Sequence, residues 1–489
     1  MRTLENLAFD NRYGRLPPGF YARLAPTPLS DPYLVSFNED AAWLIDLDPA
    51  EAQRAAFVAA MAGNAPLPGA DPLAMLYSGH QFGHYVPQLG DGRALLLGEV
   101  VNGRDERWTL QLKGAGRTAY SRGADGRAVL RSTIREYLCS EAMHGLGIPT
   151  TRALCIVGAD EPVIRETVET AAVLLRLAPS HVRFGSFEVF YYRKQHDHLK
   201  LLADHVIGEY FPGFANAPDP YYRFLVEVVE RTARLIARWQ AVGFAHGVMN
   251  TDNMSVLGIT LDYGPFGFME RFDSGYICNH SDDHGRYSFY NQPHIGLWNL
   301  TCLAQALTPL IPAEQCNDAL ARYEPVYVAE YAALMRAKLG LATADNADRE
   351  LIIDLLGLMA ENGVDYTIFF RRLGAFKRGA DEHNAALRDL FIQREAFDVW
   401  AGHYRARLAQ ENSDDAERTQ RMHRVNPKYV LRNYLAQTAI RKAAEHKDYS
   451  EIDRLLKLLR RPFDEQPAMA AYAAPPPDWA QHIEVSCSS

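Results

Sequence analysis

The pattern of apolar residues changes character once along this chain, and that change limits the folds open to it. From about residue 85 to 186, short strand-like runs alternate with turns: Ala94–Leu97, Trp108–Leu112, Ala153–Val157, Pro162–Glu166 and Ala171–Leu177. One helix interrupts them. Between Arg127 and Gly145, the residues Leu130, Ile134, Tyr137 and Leu138 recur at helical spacing, and Gly145 with Gly147 supplies a stop. From about residue 195 helices dominate. They are expected over Tyr222–Ala241, Leu297–Leu310, Asn317–Lys338, Arg349–Glu361, Tyr366–Leu373, Asp381–Leu408 and Tyr429–Lys447, with a short β-rich patch at Ser255–Tyr263. An earlier helix is expected over Ala50–Ala62, before a Pro- and Gly-rich loop around Ala65–Pro72. The predicted class is α+β: a small, mainly antiparallel β part followed by a larger helical part, with a ligand cleft between them. The expected divisions are an N-terminal extension over 1–75, a β-rich lobe over 76–186, a helical lobe over 187–460 and an extended Pro- and Ala-rich tail over 461–489.

Composition removes several function classes. Lys and Arg total 51 against 60 Asp and Glu, a net charge of −9, which argues against a general nucleic-acid or membrane-surface binder. Six cysteines in 489 residues, none in a CxxC pair, exclude a zinc ribbon and a disulfide framework, so a reducing compartment is expected. No apolar run reaches the roughly 18 residues of a membrane span, and the first residues carry early acids and no apolar core of a signal peptide. A cytoplasmic protein is the simplest expectation, with no nucleic-acid and no membrane partner.

Four segments carry the chemistry. In Gln88–Val100, Gly90 and Gly92 flank Asp91 ahead of an apolar strand; such a turn lets backbone N–H groups approach phosphate oxygens, or is simply a tight hairpin. In Leu110–Gly114, Lys113 ends an alternating strand, as a nucleotide-contacting or a snorkelling lysine. It is no Walker A lysine, because Gly114 follows it and no Ser or Thr does. On the helix after it, Glu136 stands 23 residues beyond Lys113, the arrangement by which protein kinases hold a strand lysine against phosphates; the alternative is a solvated charged helix face. The fourth segment, His246–Gly267, is the most informative. His246 and Asn253 have the seven-residue separation of a kinase catalytic loop, and Asp262-Tyr263-Gly264 is a close variant of DFG. Asn253 and Asp262 are oxygen ligands suited to Mg²⁺. The catalytic aspartate position, however, is Val248, which accepts no proton, and the nearest carboxylate is Asp252.

The strings YSGHQFGHYVPQLGDGRALLLGE, LQLKGAGRTAYSRGADGRAVLRSTIREYL, HGVMNTDNMSVLGITLDYGPFGF and NPKYVLRNYLAQ resemble the selenoprotein O family of protein adenylyltransferases. The resemblance runs from about Asn11 to the terminal VSCSS, where this chain has a cysteine and some family members carry selenocysteine. It implies a protein-kinase-like bilobal fold that binds ATP in a flipped orientation and transfers AMP onto Ser, Thr or Tyr hydroxyls of proteins, with Mg²⁺ or Mn²⁺. Matched motif by motif, the resemblance makes Lys113 and Glu136 the ion pair, Asn253 and Asp262 the metal ligands, and Asp252 the proton acceptor. Gly90, Gly92, Arg93, Asp125 and Gly126 would line the nucleotide site, and Arg176 and Arg183 would hold the outer phosphates. Two guanidiniums bracketing a turn suit phosphate oxygens better than lysines do. A conventional kinase using Asp252 and a non-catalytic nucleotide-binding scaffold are the competing readings.

Two further clusters and a cysteine pair complete the expectations. His80 and His84 have a metal-like spacing, but two glycines undermine a helix there and no metal role is assigned. Asn279–His294 is read as a hydrogen-bonded loop in preference to a metallohydrolase site. Cys278 and Cys487 lie outside apolar patterns, so both are expected to be exposed, and a disulfide between them would tether the tail across the cleft.

Overall fold

The computed structural model describes residues 1–379 and 381–486. The chain is α+β. Strands β1 (Tyr21–Arg23), β2 (Tyr33–Phe37), β3 (Leu73–Met75), β4 (Gly79–Gln81), β5 (His84–Val86), β6 (Ala94–Val101), β7 (Arg107–Lys113), β8 (Ala128–Val129), β9 (Arg152–Ile164) and β10 (Val168–Ala178) precede most of the helices. The main sheet runs β1-β3-β6-β7-β10-β9-β2 with β8 on β10, all antiparallel. β4 and β5 form a separate hairpin, and two short strands further on, β11 (Phe244–Ala245) and β12 (Gly267–Phe268), pair as a two-stranded sheet.

Helices α1 (Glu39–Ala42) and α2 (Ala55–Met61) lie in the N-terminal part, and α3 (Leu130–Gly145) follows β8. Then come α4 (Phe184–Tyr192), α5 (His196–Tyr210), α6 (Pro220–Val242), α7 (Gln292–Leu307), α8 (Ala313–Leu320), α9 (Tyr323–Lys338), α10 (Asp348–Asn362) and α11 (Tyr366–Leu373). The last are α12 (Ala385–Arg388), α13 (Arg394–Gln410), α14 (Asp415–His423), α15 (Asn433–His446) and α16 (Ser450–Leu459). Among the described residues no helix is long and apolar enough to cross a membrane.

Strand alternation assigns the sheet's two faces. Ile156, Ala172 and Leu174 join Ile134 and Leu138 of α3 in one core, whereas Cys155, Val157, Val173 and Leu175 pack with Leu4, Ile45 and Phe57 in another. The N-terminal segments therefore cover the back of the sheet, and α3 covers the front. α15 and α16 in turn pack on α3, and Ile440, Leu455 and Leu459 share its core.

Several elements differ from expectation for local reasons. The stretch 317–338 is two helices, because Pro325 lacks the N–H that a continuous helix would need at that point. The stretch 381–408 breaks into a 3₁₀ turn, α12 and α13. Arg54 is extended, so 50–62 is a 3₁₀ turn followed by α2. Ser255–Tyr263 makes only isolated bridges, such as Met254 with Thr260, because Gly258 turns the chain at φ +67°. The tail folds into 3₁₀ turns at Pro467–Ala473 and Asp478–His482 and is not extended throughout. Cys278 is buried, not exposed. Its neighbourhood meets the tail, since the His280 N–H donates to the Val485 carbonyl at 2.8 Å. Cys487, and with it the expected disulfide, lies outside the described residues.

Candidate active site

A cleft of about 520 Å³ opens between the sheet and the helices. Its walls bring together Gly90, Gly92 and Arg93 from the turn before β6, Lys113 from the end of β7, Asp125 and Gly126 from the loop before β8, Arg176 from β10 and Arg183 from the start of α4. Val248, Asp252, Asn253 and Asp262 close it from the helical side. Glu136 stands behind Lys113 on α3 and is buried. Every residue singled out from the sequence for this chemistry is thus in the cleft or bonded to a residue that is.

The floor is a buried ionic network. Lys113 Nζ donates to Glu136 Oε2 and, at 3.3 Å, to Asp262 Oδ1. Arg176 donates to Asp262 Oδ1, to Gln111 and, at 3.0 Å, to Glu136 Oε1. Arg183 Nη1 donates to Asp262 Oδ2 and to the backbone carbonyl of Asp252, both at 2.8 Å. The Arg183 guanidinium also lies 4.6 Å over the Tyr77 ring. Both arginines are buried. Burial alone would raise the Asp262 carboxyl, but Arg176, Lys113 and Arg183 together hold it well below the usual carboxylate range. Asp262 adopts φ +55°, a left-handed conformation that Asp tolerates better than most residues.

Asp252 sits in an opposite environment. Burial pushes its carboxyl up to about 7, against the opposing pull of Arg183 and of a hydrogen bond from Gln81. Gln81 Nε2 donates to Asp252 Oδ2 at 3.2 Å, while Oδ1 is buried without a hydrogen-bond partner. Gly79 on β4 approaches so closely that an added Cβ would stand 2.8 Å from that Oδ1. Arg176 Nε and Arg183 Nη2 are likewise buried and unpartnered. Unmet donors and an unmet carboxylate oxygen in one cleft suit a polar ligand.

The donor set also fits a divalent cation. Asn253 Nδ2 donates to the Val248 carbonyl at 3.1 Å, which leaves Oδ1 as the amide's ligand atom. Asp262 supplies a hard carboxylate, shared in this state with three cations. His246 does not face the cleft chemistry; its Nε2 lies 3.0 Å from the Leu261 carbonyl, bracing the segment that delivers Asp262.

Other predicted features take structural roles. Gly90 has φ +71°, and a Cβ there would collide with Tyr120, so the glycine is required by the neighbouring loop as much as by any phosphate. Asp125 is engaged by Arg165 at 2.7 Å and caps the Arg127 N–H at 2.9 Å. In the loop 279–294, Asp282 accepts from the N–H groups of Arg286 and Tyr287, as a hydrogen-bonded loop would. His80 and His84 sit diagonally on paired strands, opposite Tyr85 and Gln81 respectively, so they project from opposite faces and cannot share an ion.

Sequence reasoning missed Gln81, Tyr77 and the buried Asp91, which accepts from Gln111 and from the Met75 N–H. Asp91 lay inside a recognised turn, but nothing local marked it as inward-facing. Gln81 reaches Asp252 across 171 residues, a contact no periodicity reveals.

A lysine–glutamate pair, an Asn and an Asp thus lie at the base of a cationic cleft, beside a carboxylate with one unpartnered oxygen. A sequence profile described as protein adenylyltransferase SelO matches residues 3–460. The chain is also 61% identical to the protein nucleotidyltransferase YdiU of Thiobacillus denitrificans and 62% identical to that of Myxococcus xanthus, each over the full length of both chains. The YdiU of Azotobacter vinelandii is 57% identical, again over both full lengths. The chain belongs to the SelO family of protein adenylyltransferases.

Proposed function

We propose that this chain transfers AMP from ATP to Ser, Thr or Tyr hydroxyls of protein substrates, on a kinase-like bilobal scaffold with ATP reversed relative to a kinase. The observation that carries the reading is the pairing of Val248 at the usual base position with a buried, unpartnered carboxylate oxygen on Asp252. Arg176 and Arg183 take the β- and γ-phosphates, exchanging part of their hold on Asp262 for phosphate oxygens. Gly90, Gly92, Arg93, Asp125 and Gly126 line the rest of the nucleotide. Asn253 and Asp262 hold Mg²⁺ or Mn²⁺, which when bound offsets charge on the phosphates. Lys113, fixed by Glu136, places its ammonium beside Asp262 and the phosphates.

In the transfer itself the acceptor hydroxyl oxygen bonds to the α-phosphorus, the bond to the bridging oxygen breaks, and pyrophosphate leaves. Asp252 Oδ1 takes the hydroxyl proton. The environment that raises Asp252 suits this role, since a base is most effective when its proton affinity lies near the working pH. The setting we infer is a reducing cytoplasm, supported by the free thiols of Cys139, Cys155, Cys302 and Cys316 in the core. The test is incubation of the full-length protein and a protein acceptor with ATP labelled at the α- or the γ-phosphate. Label should stay on protein from the α position alone. Retention from γ alone selects a kinase, and no retention with ATP still bound selects a scaffold.

A further inference from the structure

A second cluster of ligand-type side chains lies outside the cleft. His80 of β4, Glu188 of α4 and Cys302 of α7 place a ring nitrogen, a carboxylate oxygen and a thiol sulfur within 4.8 Å of one another. His80 Nδ1 is 3.1 Å from Glu188 Oε2. Glu188 is fully buried, and its other oxygen, Oε1, has no hydrogen-bond partner. A buried carboxylate with one oxygen unsatisfied is costly unless a cation completes it. Aromatic rings wall the cluster: Tyr85 and Trp298 stand 5.2 and 5.3 Å from the His80 ring, and Tyr192 stands 6.0 Å away. None of these three ligand residues lines the nucleotide cleft.

We propose that His80, Glu188 and Cys302 form a second metal site that takes a borderline-soft divalent cation, with Zn²⁺ as the best match. The donor set decides the class. Thiolate with imidazole favours zinc over magnesium or calcium, which prefer oxygen throughout. Ligands at about 2.0–2.3 Å from a tetrahedral zinc stand roughly 3.3–3.8 Å apart, so the three groups need only small side-chain rotations to converge. Water takes the fourth position. Binding breaks the Cys302 S–H bond, forms a metal–sulfur bond and releases one proton to solvent.

The site joins α4 and α7 to the hairpin that braces the catalytic segment. The His80 N–H donates to Thr251 Oγ1 at 2.7 Å, Gln81 next to it holds Asp252, and the Phe82 N–H reaches Asn250 Oδ1 at 3.2 Å. A metal at His80 fixes the strand and the turn after it, from which all three contacts come. Its role is positional; it touches no reacting atom.

The test uses the metal alone, without nucleotide. Full-length protein is stripped with a chelator, given excess Mg²⁺ to occupy any oxygen-only site, and titrated with Co²⁺. The expected result is one equivalent bound, with thiolate-to-cobalt absorption in the near ultraviolet and release of the cobalt by Zn²⁺. Cys302→Ser should lose the thiolate absorption and Glu188→Gln the stoichiometric binding, while Cys316→Ser, another buried thiol, keeps both. Zinc should also raise the melting temperature of the parent protein and of Cys316→Ser, but not of Cys302→Ser. Absence of the thiolate band in the folded parent protein overturns the proposal whatever the variants do. So does a band that persists in Cys302→Ser.

Discussion

Asp252 and Asp262 stand ten residues apart and line one cleft, yet the structure gives them opposite surroundings. Asp262 is surrounded by Lys113, Arg176 and Arg183 and stays ionised far below its ordinary range. Asp252 has a single amide donor on one oxygen and burial around the other, and it rises to about 7. Burial acts in the same direction on both; the partners decide the outcome. One carboxylate is held as a charge, and the other has its proton affinity raised toward neutrality.

Removing the fixed charge gives the largest effect. Asp262→Ala leaves Lys113 and the buried Arg176 and Arg183 without their shared carboxylate and removes a ligand of the proposed metal, so AMP transfer should fall by about 10³-fold or more. Because that variant also risks unfolding, Asp262→Asn should show the same loss of transfer with a melting temperature closer to the parent protein. Full activity in either folded variant would end the distinction between the two aspartates. Asp252→Asn comes next. It keeps the shape and removes the proton acceptor, so kcat should fall by about 10²–10⁴-fold while ATP affinity, measured by calorimetry, stays as it was.

The smallest effect is a titration. In protein free of metal and nucleotide, ¹³C-carboxyl spectra should show Asp252 changing protonation near pH 7 and Asp262 unchanged down to pH 4, with Asp252→Asn identifying the resonance. The sign follows for stability. Asp262, depressed, adds stability that is present above its unfolded value of 3.8 and lost as the pH falls further. Asp252, raised, costs stability that builds from 3.8 up to about 7. Two carboxyl resonances moving together would show that the environments do not differ.

That Asn253 and Asp262 share one cleft was legible because they lie close in sequence. The pairing of Lys113 with Glu136 was legible because a strand followed by a helix places them by geometry alone. The antiparallel strands announced themselves through short apolar runs between turns. α4 did not, since it is buried on all sides over Phe184–Phe190 and so carries no polar stripe to mark its period. Arg176 and Arg183 were singled out only through the family resemblance, because their contact with Asp262 depends on how the sheet meets the helical side. Gln81 was invisible for the same reason, as its partner arrives from the other side of the molecule. Local pattern shows which residues an element exposes; the partner of a buried polar group is set by topology.

The packing of α15 and α16 on α3 bears on how the protein is made. Arg135 of α3 bonds the Asn433 side chain at 3.2 Å, and Gly145 lies so close to Leu459 that a Cβ would meet the Leu459 carbonyl at 2.1 Å. A ribosome that has finished residue 432 has already produced every side chain of the cleft, but not the two helices that press α3, and with it Glu136, against Lys113. By then α3 already has β9 and β10 to pack against, so α15 and α16 are the last helices to close over the helix that carries Glu136.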